Sequence, residues 1–313
     1  MRMLITGSHG LVGSALGEAC LRAGHEVVLF DLVRPGASGA EDIRDRAVLA
    51  ERMEDCDGVI HLAAISRVAW GEERPDLCLS INVEGTRSVA EAALAQRHQP
   101  WLIFASSREV YGNPANSMVV ETDPIAPVNT YGRSKAEGER IIEQARTSGL
   151  ATAIIRLSNV YGGRRDHPDR AVPALLTRVL DGEDLVITGG DNYFDFVHVD
   201  DCVTGLMAMA GLLAAGERAL PPVQLSTGIA TSLRSLAQLA IAVSRSGSHV
   251  IEAPARPFDV AGFCGDPARA RQLLGWEALI DLPTGLARLT DDLRANGPLD
   301  PVDMPDTPAV GQD

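Results

Sequence analysis

Tyr131 and Lys135 stand four residues apart in Tyr131-Gly132-Arg133-Ser134-Lys135, which opens a helix-like stretch running through Ala136 to Ile142. That spacing puts both side chains on one helix face. A phenol has a pKa near about 10 in water. A neighbouring ammonium stabilises the phenolate and lowers that value, which makes Tyr131 a candidate general base near neutral pH. A second group of hydroxyls, Ser106 and Ser107, follows the apolar run Leu102-Ile103-Phe104-Ala105 and leads into Arg108-Glu109-Val110-Tyr111-Gly112. In open α/β sheets the ligand crevice lies outside the carboxyl ends of the strands, where a serine hydroxyl can orient a substrate alcohol. Taken singly, Tyr-x-x-x-Lys is common by chance and serines are ordinary turn residues.

The apolar run Met3-Leu4-Ile5 leads directly into Thr6-Gly7-Ser8-His9-Gly10-Leu11-Val12-Gly13. Glycines at 7, 10 and 13 let the backbone turn sharply, approach a pyrophosphate and pack a helix on a strand. The helix that begins at Leu11 and Val12 offers N–H groups and a partial positive charge to a phosphate. Asp31 ends the next apolar run, Val27 to Phe30, 18 residues past Gly13. A carboxylate there accepts from the ribose hydroxyls of NAD and repels the extra phosphate of NADP. Arg34, close behind it, is a cation of the kind that holds such a phosphate, and Asp42-Ile43 can flank an adenine ring. The cofactor expected from this pattern is NAD, with Lys135 placed to reach its nicotinamide-side ribose.

The elements that must position these groups alternate. Strand-like runs at Met3–Ile5, Val27–Phe30, Gly58–Leu62, Leu102–Ala105 and Thr152–Arg156 are apolar on both faces, as in a parallel sheet covered by helices. A helix over Leu11–Ala23, closed by Gly24, and the later helical stretches make a doubly wound α/β fold. After about residue 160 the rhythm changes. Arg164 to Pro173 is polar and irregular, Val172–Leu180 and Ser232–Val243 read as helices, and Val186-Ile187 and Phe196-Val197 read as short strands. The expected organisation is a Rossmann-type domain over 1–165 plus about 196–226. A smaller, interleaved substrate-binding region covers 166–195 and 227–296, and 297–313 is a Pro- and Asp-rich disordered tail.

Composition fits this reading. The 313 residues are 45% hydrophobic and 22% charged, with 28 basic against 42 acidic side chains and a net charge of −14. Such a surface repels phosphate backbones, so no nucleic acid is expected as a partner. No apolar run has membrane-spanning length, and Met1 to Thr6 does not resemble a signal peptide. Five scattered cysteines without metal-ligand spacing point to reduced thiols and a cytoplasmic location. His61 is expected to end a strand beside the cofactor and His198 to sit in a turn near Asp200 and Asp201. Neither has a second histidine at metal spacing, so no metal is expected. Trp276 reads as core.

Together these stretches resemble the extended short-chain dehydrogenase/reductases, and within them the NAD-dependent nucleotide-sugar epimerase/dehydratase family. The resemblance adds His61 to Ala64, Asn82 to Thr86, Asn159-Val160-Tyr161-Gly162, Phe196 to Asp201 and Leu274-Gly275-Trp276, so it spans residues 3 to about 276 in order. It implies that Gly7, Gly10 and Gly13 line the NAD diphosphate, that Asp31 holds the adenosine ribose, and that Leu62, Ala63 and Ala64 pass along the cofactor. Tyr131 would be the base, Lys135 its electrostatic partner, and Ser107, four residues before Tyr111, the hydroxyl bonded to the reacting sugar oxygen. Asn159 and Arg256 would grip the substrate diphosphate. The partners implied are a nucleotide sugar and a second copy of the chain, paired through helices around Val83–Leu94 and Lys135–Gln144.

Two positions depart from the family pattern. Phe194 stands where many relatives carry a nucleotide-binding arginine, for which Arg164, Arg165 or Arg170 are candidate substitutes. Arg108 stands where related dehydratases carry the aspartic member of an Asp-Glu acid–base pair, and a guanidinium does not give up a proton near neutral pH. Glu109 is left as a remnant, a structural hydrogen-bonder or a base for another step, and Arg108 and Glu109 are both expected, with Ser107, to line the substrate. The resemblance therefore implies epimerisation at C4 through a keto intermediate. Loss of water or carboxylate, or reduction of a keto sugar, are the alternatives on the same scaffold.

Overall fold

The computed structural model describes residues 1–32, 41–218, 220–253 and 261–300. In chain order the strands are β1 (Arg2–Thr6), β2 (Glu26–Phe30), β3 (Gly58–His61), β4 (Trp101–Ser107), β5 (Thr152–Leu157), β6 (Asn159–Tyr161), β7 (Leu185–Thr188), β8 (Tyr193–His198), β9 (Val223–Leu225), β10 (Ala230–Ser232) and β11 (Val250–Ala253). Six of them form one sheet in the order β2-β1-β3-β4-β5-β9, all parallel. The order reverses between β1 and β3, the switch point at which doubly wound sheets open a ligand crevice.

Side chains alternate across this sheet, and both faces are covered. Met3, Ile5, Trp101, Ile103, Ala153 and Ile155 pack on one side with Leu11, Leu16 and Cys20 of α1 (Leu11–Arg22). They share that layer with Val203, Leu206 and Met209 of the long helix Val199–Ala214. Leu4, Val59, Leu102, Phe104 and Ile154 face the other way. There they meet Leu49 of α2 (Arg46–Arg52) and, farther along the chain, Val89 and Ala93 of Gly85–Ala95 and Ile141 and Ile142 of Thr130–Thr147. Burial on both faces is why these strands read as unbroken apolar runs.

Two short helices, α3 (Val68–Glu73) and α4 (Pro75–Leu79), and a turn of wide helix over Ser80–Glu84 lead into α5 (Gly85–Ala95). Next come α6 (Thr130–Thr147), α7 (Ala171–Leu180), α8 (Val199–Ala214), α9 (Leu233–Ser244), α10 (Ala268–Leu274) and α11 (Leu282–Asn296). A separate core joins α7, α9 and α11 to β7 and β8 through Leu176, Leu185, Phe196, Leu236, Leu286 and Leu289. Leu299 is buried in the same core, and Arg164 donates to the carbonyls of Gly297 and Pro298. The start of the segment expected as a tail is therefore packed, because an apolar side chain finds a pocket under α11. Residues 301–313 lie outside those described. Trp276 is core, as its pattern suggests, with its indole N–H donated to Asp201 O at 2.9 Å. Among the described residues no helix is long and apolar enough to cross a membrane, and no cluster of side chains has the makings of a metal site.

Candidate active site

One cavity of about 1160 Å³ opens along the carboxyl ends of β1, β3, β4 and β5. Its floor is the loop after β1. Gly7 has φ +71°, and a Cβ there would sit 2.6 Å from Ala63 N, while a Cβ on Gly13 would sit 2.1 Å from Gly7 O. Only glycine permits that turn and that approach of α1. Gly10 caps α1 without a side-chain bond, and the first helical bond runs from Ser14 N to Gly10 O. The amides of Leu11 and Val12 precede it, so they have no partner within the helix, and both residues line the cavity. A bare glycine cradle ending in a helix N-terminus fits a diphosphate.

Asp31 lines the same cavity and accepts from His9 N at 2.7 Å, which ties β2 to the loop. Asp42 and Ile43 line it as well. Asp42 accepts from Arg44 N at 2.8 Å and from Arg44 Nε at 3.0 Å, so its carboxylate is held inside the protein. Ile43 is buried beneath α5. Leu62, Ala63 and Ala64 form the opposite wall. Behind them His61 bridges Thr6 Oγ1 at 2.7 Å and Thr86 Oγ1 at 3.0 Å. Burial and then the Lys135 charge push its imidazole down to about 3, so it is a neutral strut. Asn82 accepts from Ile65 N at 2.8 Å and donates to Ser134 Oγ at 2.9 Å, joining this wall to α6.

Ser107, Tyr131 and Lys135 all line the cavity. The α6 start that carries Tyr131 is fixed by Asn129, whose side chain accepts from Gly132 N at 2.7 Å as an N-cap. Tyr131 is half-buried. Burial pushes its phenol up to about 12, against the pull of a hydrogen bond with Ser107 and of the Arg170 cation. Burial thus outweighs the lowering expected at this position. The Lys135 ammonium donates to Ala105 O at 2.8 Å and lies 5.9 Å from the centre of the Tyr131 ring. Burial in turn pushes Lys135 down to about 8.

The two departures from the family pattern meet in space. The Arg108 guanidinium lies 4.6 Å over the Phe194 ring. Its Nε donates to Asn159 Oδ1 at 2.5 Å, and its Nη2 pairs with Glu109 Oε1 at 2.7 Å. The second Glu109 oxygen accepts from Asn129 Nδ2 at 2.7 Å. Arg108, Glu109 and Asn159 line the cavity beside Ser107. Of the arginines considered as substitutes at 194, Arg164 is bound to Asp292 at 3.0 Å, and Arg170 stands 3.5 Å from Asp166. Arg256 and Arg34 lie outside the described residues.

Sequence reading missed part of the lining. Arg67 and Trp70, and Asp166 and His167 facing them, border the cavity. Arg67 pairs with Asp169, and Trp70 meets His167 edge-on at 5.0 Å. Arg67 Nε, Asp166 Oδ2 and His167 Nδ1 are buried without a protein partner. The density of polar residues over Arg164 to Pro173 was the available signal. Also missed was the support below Ser107. Ser106 Oγ donates to Glu139 Oε1 at 2.5 Å, and Glu139 pairs with buried Arg156 at 2.7 Å.

Comparison with known proteins identifies the family and its cofactor. Residues 3–219 match the NAD dependent epimerase/dehydratase family. A UDP-glucose 4-epimerase of Mycolicibacterium smegmatis is 31% identical over 94% of this chain and 99% of its own. The crystal structure of UDP-glucose 4-epimerase with UDP-glucose from Thermotoga maritima superposes with a TM-score of 0.85 at 26% identity, over 94% of this chain and 99% of that one. DesIV, a dTDP-glucose 4,6-dehydratase from Streptomyces venezuelae solved with NAD, gives 0.84 at 27%, over 95% and 98%. The cofactor is NAD, and the chain, an enzyme that modifies nucleotide sugars, belongs to the NAD-dependent epimerase/dehydratase family.

Proposed function

We propose that this enzyme epimerises a nucleotide-activated sugar at C4 through a transient ketone. The observation that carries this reading is the state of Glu109. Both its oxygens are engaged, by Arg108 and by Asn129, and Arg108 takes the place of an acid. Elimination of water needs an acid and a base beside the oxidised sugar, whereas epimerisation needs only the Ser107–Tyr131–Lys135 set.

In this reading Gly7, Gly10 and Gly13 with the Leu11 and Val12 amides hold the NAD diphosphate, and Asp31 holds the adenosine ribose. Asp42 and Ile43 flank the adenine, and Leu62 to Ala64 run along the cofactor. When bound, NAD supplies the hydride acceptor for the carbinol carbon and the donor for its re-reduction. Ser107 positions the reacting hydroxyl, and Tyr131 takes its proton as the ketone forms and returns it when the ketone is reduced from its other face. Lys135 steadies the developing phenolate. Asn159 and Arg256 hold the substrate diphosphate. The same proposal places the enzyme in the cytoplasm, consistent with five free, buried cysteines. It also makes the enzyme a homodimer through α5 and α6, a state that size-exclusion chromatography with light scattering tests.

The test of the reaction is turnover of a panel of nucleotide sugars without added cofactor, read by chromatography and mass spectrometry. A product of unchanged mass and new retention, absent in Tyr131→Phe, is expected. A product lighter by water or carbon dioxide, or turnover only with added reduced cofactor and a keto sugar, overturns the reading.

A further inference from the structure

We propose that Arg108 is a positioning residue that sets the orientation of the Asn159 amide and thereby the grip on the substrate diphosphate. The inference rests on the nucleotide-sugar reading above and goes beyond it by giving the departure at 108 a task.

An arginine Nε–H donates and cannot accept. Its 2.5 Å contact with Asn159 therefore fixes Oδ1 on the Arg108 side. The Asn159 –NH2 is turned the other way, and among the described residues it has no protein partner. Asn159 is partly exposed and lines the cavity, so this donor is available to an anionic oxygen there. A free asparagine presents either end of its amide, and only one end binds phosphate.

Arg108 is itself held on three sides. Phe194 lies beneath it at 4.6 Å and Phe263 at 5.9 Å, and Glu109 takes Nη2. Asn129 bonds both Glu109 and the α6 N-terminus that carries Tyr131. The orientation of Asn159 is thus joined to the loop that carries Ser107 and to the helix that carries Tyr131. One ring of contacts sets the distance between the phosphate end and the reacting end of the substrate.

The test is calorimetric titration of the NAD-loaded enzyme with UDP and with dTDP, on wild type, Arg108→Lys, Asn159→Ala and the double variant. Arg108→Lys keeps a charge beside Glu109 and over Phe194 but puts a methylene where the Nε–H stands, so the donor that fixes Asn159 Oδ1 is lost from its place. Each single variant is expected to bind roughly tenfold to a hundredfold more weakly, the range for losing a hydrogen bond to a charged group. The double variant should be no weaker than Asn159→Ala alone, since the two side chains act through one contact. Asn159→Asp, which puts an acceptor where the donor stood, should lose more than Asn159→Ala. Affinity unchanged in Arg108→Lys, or losses that add in the double variant, overturn this inference alone. Failure of wild type to bind any of a panel of nucleoside diphosphates overturns the nucleotide-sugar reading and this inference with it.

Discussion

Replacing Lys135 with methionine should abolish turnover and make the empty protein more stable at neutral pH. Lys135 is buried, with 4% of its surface exposed, and its pKa falls from 10.5 to about 8 in the folded state. Between these values the unfolded chain binds a proton that the folded one has released. Stability therefore rises with pH across the window from about 8 to 10.5. The slope is about 1.4 kcal/mol per pH unit, about 3 kcal/mol in all. Below the folded pKa, wild type carries that whole penalty, and the Lys135→Met variant, whose side chain is of similar length, carries none. Against this, methionine leaves Ala105 O without its 2.8 Å donor, a loss of about 1–3 kcal/mol. The net gain at pH 7 is about 1 kcal/mol. Urea unfolding of both proteins, stripped of nucleotide, at intervals from pH 7 to 10 measures the difference directly. The variant should lead at pH 7 and fall behind wild type by pH 10. Parallel curves would refute the reasoning, since they would mean that Lys135 carries its charge in the folded protein at no cost.

Other expectations follow from single contacts. Gly13→Ala puts a methyl 2.1 Å from Gly7 O; backbone cannot yield there, so bound NAD, read from the absorbance of the purified protein, should drop at least roughly tenfold. Glu139→Leu strands the buried Arg156 guanidinium and should cost about 3–5 kcal/mol in denaturant unfolding, with Ser106 losing its acceptor as well. Tyr131→Phe should lower kcat by roughly a hundredfold to ten-thousandfold with little change in KM. In wild type the forward rate should climb with pH through neutrality, because burial holds the phenol up to about 12 and its base form grows as protons are removed.

What the sequence revealed and what it hid follow from the range of the interactions. The glycine loop, Asp31 and the Tyr131–Lys135 spacing are local patterns, each legible within one strand, turn or helix. The parallel sheet was legible because burial on both faces leaves unbroken apolar runs such as Leu102 to Ala105. The Arg156–Glu139 pair was not, since it joins β5 to α6 over 17 residues and each partner alone reads as an ordinary surface charge. The contact of Arg108 with Phe194 spans 86 positions, and nothing in either neighbourhood announces it. The lowered phenol pKa expected of Tyr131 was a local inference from spacing. Burial, which the spacing does not reveal, works against it and holds the phenol up to about 12.

The central claim is that the sugar is oxidised and reduced at one carbon, with no carbon acid–base step. Turnover of the accepted nucleotide sugar in heavy water tests this most directly. The predicted product, isolated after return to ordinary water, has unchanged mass, because its carbon-bound hydrogen never meets solvent. Deuterium fixed on carbon would contradict the account, since it requires a side chain such as Glu109 to remove a proton from the sugar skeleton.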